Sequence, residues 1–271
     1  MRKGTTFGLA VVLVASLVAA ALPAPIAQAQ DGGALPLGEW VEGELTQTAC
    51  TASYTVQASK GDLILVEFVR SMGTMDLDPA MVITDSVGTI VLIADDTVSG
   101  LGAAAILEST GDAYTITGMP SSLYYNQADT TAPLASWDLT CPTDATYGKY
   151  MVRASMPELL VPGSSVTSTI YADYAKDASS VYVIRPDAPV TWAFSFEQPG
   201  NDLRAGIELM KMPDEETVFA LEDTMGVRSG TLNVDLEAGQ IYFLVVNKSP
   251  YAFLFDDTAT IDVTISISEA Q

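Results

Sequence analysis

The chain has 271 residues, with 34 acidic and 12 basic side chains, no histidine, two cysteines and a formal net charge of -22. Without histidine, Ser-His-Asp triads and His-ligated zinc or haem sites are excluded, and two cysteines are too few for a Cys-rich zinc scaffold. Scarcity of bases, not enrichment of acids, sets the charge, and it argues against a face that tracks nucleic-acid phosphates or an anionic membrane.

Met1-Arg2-Lys3 precedes an apolar stretch from Phe7 to Leu22, then Pro23, Pro25 and Ala27-Gln28-Ala29. A positive start, a short apolar run and an A-x-A site predict a secretory signal peptide over residues 1–29, with Gln30 opening the mature chain. The run falls short of the ~20 residues of a spanning helix. No cysteine adjoins the site, so a lipid anchor is not expected. The predicted location is extracellular, periplasmic or cell-surface associated, without membrane insertion. In such an oxidising space Cys50 and Cys141 are expected to pair as a disulfide. A reactive thiol is disfavoured because no base flanks either residue.

Short β-branched or aromatic runs follow: Tyr54 to Ala58, Leu63 to Phe68, Met81 to Ile83, Ile90 to Ile93, Tyr114 to Ile116 and Tyr150 to Arg153. Turn residues separate them, among them Lys60-Gly61-Asp62, Asp85 to Gly88 and Thr110-Gly111-Asp112. The second half repeats the style at Val181 to Ile184, Val190 to Phe196, Ile207 to Met210, Thr217 to Leu221, Thr231 to Leu236 and Ile241 to Val246. A last strand is expected from about Ala259 to Ser268. Beyond the leader, no 3.6-residue apolar period is long enough for a helix.

The halves are related by an offset of 128 residues, which superposes Tyr54 on Tyr182, Phe68 on Phe196, Thr89 on Thr217, Asp95 on Asp223, Gly102 on Gly230, Gly111 on Gly239 and Tyr114 on Tyr242. The shared register of strands and turns, more than these identities, points to a diverged duplication. The expected fold is all-β: two tandem antiparallel jelly-roll-like sandwiches, residues 30–157 and 158–271, each burying one face of its alternating strands. A Pro/Gly/Ser passage from Met156 to Ser165 reads as a short linker. Between Met119 and Thr146 the first half carries a long irregular stretch, which Cys141 would pin near Cys50.

From Gly43 to Thr117 the pattern resembles the bacterial pre-peptidase C-terminal domains. The matching residues are Tyr54-x-Val56-x-Ala58-x-x-Gly61-Asp62 with the strand after it, Leu77-Asp78-Pro79, Met81-x-Ile83-x-Asp85-x-x-Gly88, Asp95-Asp96, and Gly111 ahead of Tyr114. Both halves read G-x-x-Y where the family more often has G-x-Y. The second half lacks the G-D turn, having Pro189-Val190 there. The resemblance implies a non-catalytic module for targeting, for assisting secretion, or for binding extracellular polymers or proteins, sometimes with calcium.

Asp76, Asp78, Asp95 and Asp96 are the candidate calcium ligands, since carboxylates on adjoining turns supply part of the 6–8 oxygens this ion takes. Alternatively, acidic turn residues cap backbone N–H groups. Arg204 and Gly206 replace the first two acids in the second half, so any site belongs to the first. Tyr124, Tyr125, Asn126 and Trp137 are the candidate ligand-binding set, combining aromatic faces with an amide; Trp40 is a further aromatic near the mature N-terminus. The competing role for these rings is to cover a small core beside the disulfide. No G-x-S-x-G elbow, S-x-x-K or phosphate-loop pattern occurs. The expectation is a non-enzymatic binding or accessory module for an extracellular polysaccharide or protein, requiring no cofactor. A self-assembling envelope subunit and a carboxylate-based hydrolase are the alternatives.

Overall fold

A computed structural model describes residues 30–71, 77–95, 102–171, 180–198, 205–212, 216–221, 229–248 and 260–270. The first half contains β1 (Gln30–Ala34), β2 (Val41–Leu45), β3 (Ala52–Gln57), β4 (Leu63–Arg70), β5 (Pro79–Thr84), β6 (Ile90–Asp95), β7 (Gly102–Glu108) and β8 (Ala113–Pro120). A short helix α1 (Ser121–Tyr125) and a 3-10 turn (Leu134–Ser136) come before β9 (Gly148–Ser155). The second half contains β10 (Leu159–Leu160), β11 (Ser165–Tyr171), β12 (Ser180–Ile184), β13 (Val190–Glu197) and β14 (Ala205–Lys211). It closes with β15 (Glu216–Leu221), β16 (Ser229–Leu236), β17 (Tyr242–Lys248) and β18 (Thr260–Glu269).

These strands form sheets β1-β3-β8-β5-β6 and β2-β9-β4-β7 in the first half, and β10-β12-β17-β14-β15 and β11-β18-β13-β16 in the second. Strand for strand, the two orders are the same. Even the exception repeats: β1 runs parallel to β3 and β10 parallel to β12, while the other neighbours are antiparallel. The fold is thus all-β, built as two sandwiches. Tyr54 pairs with Ile116 and Tyr182 with Leu244, which keeps the offset of 128. At β14 the offset drops to 126, since Ile83 faces Ile116 but Leu209 faces Leu244. The connection into β14 is two residues shorter, so Thr217 takes the place of Ile90 rather than Thr89.

Alternation fills two separate cores. In the first, Ile64, Val66 and Phe68 of β4 meet Met81, Ile83, Ile116 and Val152. Phe68 stacks on Tyr150 with centroids 4.7 Å apart, and the Tyr150 hydroxyl bonds that of Tyr54 at 2.7 Å. Two glycines make room for these rings. A Cβ on Gly118 would lie 2.1 Å from Phe68, and one on Gly43 would lie 2.2 Å from the Tyr150 hydroxyl. The second core packs Trp192 and Phe194 against Leu209, Leu244, Val263, Ile265 and Ile267.

The expectation that each sandwich buries one face per strand needs correction. Leu65, Ala104 and Ile106 point out of the first core and are buried against Val183, Met210, Met212, Phe243 and Val245, which point out of the second. Sheet β2-β9-β4-β7 therefore packs on sheet β10-β12-β17-β14-β15, with Arg185 and Glu108 3.4 Å apart across the junction. Strands covered on both sides read as continuous apolar runs rather than alternating ones, as Leu63 to Val66 and Tyr242 to Val246 do. The passage after Pro157 is not a free linker either. β10 joins the second sandwich beside β12, and Gly163 donates its N–H to Ile267 at 2.7 Å.

Among the described residues, the outer face of sheet β11-β18-β13-β16 is largely polar, with Ala193 as an apolar position on it. Register places Thr231, Ser195, Ser266 and Ser165 in one row across its four strands, and Ser229, Glu197, Thr264 and Thr167 in the next.

Candidate functional site

Residues 119–147 form a cap over the outer face of sheet β1-β3-β8-β5-β6. β5 explains why a cap is needed: Ala80 and Val82 point away from the core, and exposing them would leave an apolar sheet face in water. Met119, Leu123 and Trp137 close over them together with Cys50. Cys50 and Cys141 are disulfide-bonded, with Cα atoms 5.5 Å apart.

The helix begins where Pro120, with φ -63, ends β8. Ser121 donates its N–H to the Asp78 carbonyl at 2.8 Å and its hydroxyl to the Asp78 carboxylate. Five residues are too few to hold a helix by propensity, so tertiary contacts hold it. Gln127 is the clamp. Its Nε2 donates to the Leu123 carbonyl at 2.8 Å and the Asp138 carbonyl at 3.0 Å, while its Oε1 accepts from the Asp138 N–H at 3.0 Å. Thr131 hydroxyl and amide bonds hold the Asp129 carboxyl below its ordinary range, and Thr140 does the same for Asp138.

The four candidate ligand-binding residues share this cap but not one environment. Trp137 is only 8% exposed, and its indole N–H donates to the Ala132 carbonyl at 3.0 Å. Tyr124 is half-buried, with its ring 6.2 Å from that of Trp137 and 5.0 Å from that of Tyr125. Tyr125 is 67% exposed. Asn126 is also exposed and ends the helix by donating its N–H to the Ser122 carbonyl at 3.1 Å. Trp137 is thus support, and Tyr125 with Asn126 is surface.

Of the acidic candidates, Asp76 and Asp96 lie outside the described residues. Asp78 and Asp95 are brought to one end of the sheet, since Asp95 stands opposite Ala80. Among the described residues no three His, Cys, Asp or Glu side chains converge as a metal site would require. Asp78 fastens the start of α1, its carboxylate accepting the Ser121 hydroxyl and its carbonyl the Ser121 N–H.

A second organised cluster lies on the outer face of sheet β2-β9-β4-β7. Arg153 donates from Nε to the Glu67 carboxylate at 2.8 Å, and its guanidinium lies 4.3 Å from the Trp40 ring centroid. Burial pushes Glu67 above the ordinary carboxylate range, outweighing the opposite pull of Arg153. Trp40 remains 41% exposed. Sequence alone carries no sign of this cluster, because its members come from separate segments.

No family model matches the sequence, and a search of curated proteins finds no match. Among solved structures, the chain is similar to the pre-peptidase C-terminal domain of a Bacillus anthracis collagenase. The identity is 12% and the TM-score 0.31, over 47% of this chain and 94% of that one. It is also similar to a Clostridium perfringens structure of an M60 catalytic domain with two CBM51 domains. There the identity is 8% and the TM-score 0.25, over 86% of this chain and 38% of that one. A putative secreted protein from Eubacterium rectale matches at 11% identity and TM-score 0.24, over 85% of this chain and 74% of that one. Among the described residues, no helix is long and apolar enough to cross a membrane.

Proposed function

We propose that this chain is a non-catalytic binding or accessory module that acts at the cell envelope or outside the cell. It contacts an extracellular polysaccharide or protein through the cap, at Tyr124, Tyr125 and Asn126, with Trp137 bracing them from beneath. The observation that carries the reading is Tyr125, a ring 67% exposed on a support held by a disulfide and the Gln127 clamp. An amphipathic ring presented on a rigid element is how a surface gains contact area at little entropic cost. Glycan and peptide arrays test it. Tyr125→Ala should reduce the signal about tenfold or more with melting unchanged, an effect on the order of 1.4 kcal/mol. Blank arrays, or a Tyr125→Ala variant that binds like the parent, would remove the cap from the account.

The same reading has the chain exported with cleavage after Ala29, and divides it into residues 30–157 and 158–271. It derives both parts from one module of the pre-peptidase C-terminal kind, supported by the matched strand orders. Mass spectrometry of the exported protein should return Gln30 as first residue. A calcium ion at the turns of Asp76, Asp78, Asp95 and Asp96 is an accessory to this reading. Higher melting in millimolar calcium than in chelator supports it, because a native-state ligand raises stability, and identical melting disposes of it.

One observation favours a structural, self-associating subunit instead. Leu37, which bridges Ala154, is 38% exposed near Trp40 and near Met156, which is 58% exposed. Sedimentation at rising concentration separates the readings: oligomers with blank arrays favour assembly. A hydrolase would need two carboxylates facing each other across a cleft. Polysaccharide turnover lost on one Asp or Glu substitution would replace both readings.

A further inference from the structure

The outer face of sheet β11-β18-β13-β16 holds a groove of about 320 Å³, lined chiefly by Ser195, Glu197, Ser229, Thr231, Thr264 and Ser266. We propose that this groove binds a neutral polysaccharide chain through its hydroxyl groups. The inference rests on the proposed binding role and deepens it by naming a ligand class. It also puts that ligand on a different face from the cap, so the two surfaces can fail separately.

Ser195 bonds Thr231 at 2.8 Å, Thr264 bonds Thr167 at 3.1 Å and Ser266 bonds Ser165 at 3.1 Å, each hydroxyl to hydroxyl. A hydroxyl has one donor and two acceptor positions, so every such pair keeps one donor and three acceptors for an outside partner. Sheet geometry spaces neighbouring residues of a row about 4.8 Å apart across strands and the two rows about 6.8 Å apart along them. Donors and acceptors therefore lie side by side over a fixed grid, with the Glu197 carboxylate adding acceptors in the second row.

Few ligand classes answer such a grid. An apolar partner would strip water from these groups and leave them unpaired, a loss that outweighs the contact area gained. An anionic polymer meets Glu197 and a chain with net charge -22. A neutral glycan presents its own closely spaced hydroxyls, each able to donate and accept. The volume lies at the lower end of small-ligand sites, which suits one or two sugar rings of a longer chain.

The test uses the full mature protein in affinity electrophoresis. The gels contain dextran, soluble starch, mannan or galactomannan, with alginate and polygalacturonate as anionic comparators. Thr231→Val with Thr264→Val removes two hydroxyls and keeps β-branched shape on an outer face. We expect at least one neutral polymer to retard the parent and the double variant to lose tenfold or more in affinity with unchanged melting. The inference is overturned if no neutral polymer binds, if the double variant binds like the parent, or if alginate binds equally well. Neutral binding lost only in Tyr125→Ala also overturns it, while leaving the cap as the contact surface.

Discussion

The two sandwiches share one strand order, and what separates them is how their outer faces are finished. The outer face of β1-β3-β8-β5-β6 is covered by the cap, whereas its counterpart β10-β12-β17-β14-β15 is covered by the first sandwich. Sheet β2-β9-β4-β7 offers Leu65, Ala104 and Ile106 for that contact. Register puts Ala193, Thr231 and Asn233 at the corresponding points of the last sheet, with Ser195 where Glu67 stands. Two of the three apolar docking positions have become polar, so this face does not offer the apolar surface by which the first sandwich packs on the second.

The largest effect should come from reversing that difference at one matched pair. Ala104→Asp puts a carboxylate into the closed junction and should cost about 3–5 kcal/mol, as an uncompensated buried charge does. Thr231→Asp at the matching exposed position should stay within about 0.5 kcal/mol. Denaturant unfolding of both variants measures the contrast, and equal costs would refute the stacked arrangement.

Removing the disulfide with Cys50→Ser and Cys141→Ser should cost about 2–4 kcal/mol by enlarging the unfolded ensemble. Hydrogen exchange should rise in the cap and adjoining β5 while the second sandwich stays protected. Uniform loss of protection would show that the sandwiches do not differ in this way.

A smaller effect separates Glu67 from Ser195. Because burial raises the folded-state pKa of Glu67, its protonated form favours the fold. Its contribution to stability should be full below the unfolded carboxylate range and decline as pH rises through the higher folded value. Glu67→Gln keeps the bond to Arg153 and should flatten that decline in a plot of melting temperature against pH. A decline that survives the substitution belongs to another group.

The smallest effect concerns Asp129 and Asp138, whose folded-state pKa values are lowered by Thr131 and Thr140. Their contribution is present above the unfolded carboxylate value and is lost as pH falls through the lower folded one. Cap amides should exchange faster below about pH 4, ahead of the second sandwich. Simultaneous loosening of both would deny the cap its separate acid response.

How much of this was legible beforehand varies with the residue. Val263, Ile265 and Ile267 alternate with polar neighbours and lie in the second core as that pattern requires. β7 was missed because Gly102 to Ile106 is rich in alanine, a weak strand former. It is a strand because Ala103 and Ala105 fit beneath the first core while Ala104 admits the second sandwich. β11 was hidden behind a presumed linker, although Ser165, Thr167 and Thr169 repeat at the strand period. In the cap, the aromatics were visible, but not which would be buried. Trp137 and Tyr125 look alike in composition, and only the path of the chain over β5 put one beneath and the other outside.

By itself the sequence determined local matters: the two-residue alternation, the turns, the cysteine pair and the recurrence of one strand pattern 128 residues later. Each depends on neighbours along the chain or on residue chemistry. Tertiary structure alone decided which outward faces would be dry, where the cap would sit and which hydroxyls would stand in rows. Those outcomes depend on the pairing of strands far apart in sequence and on how one sheet packs over another, and neither leaves a period that a single strand can carry.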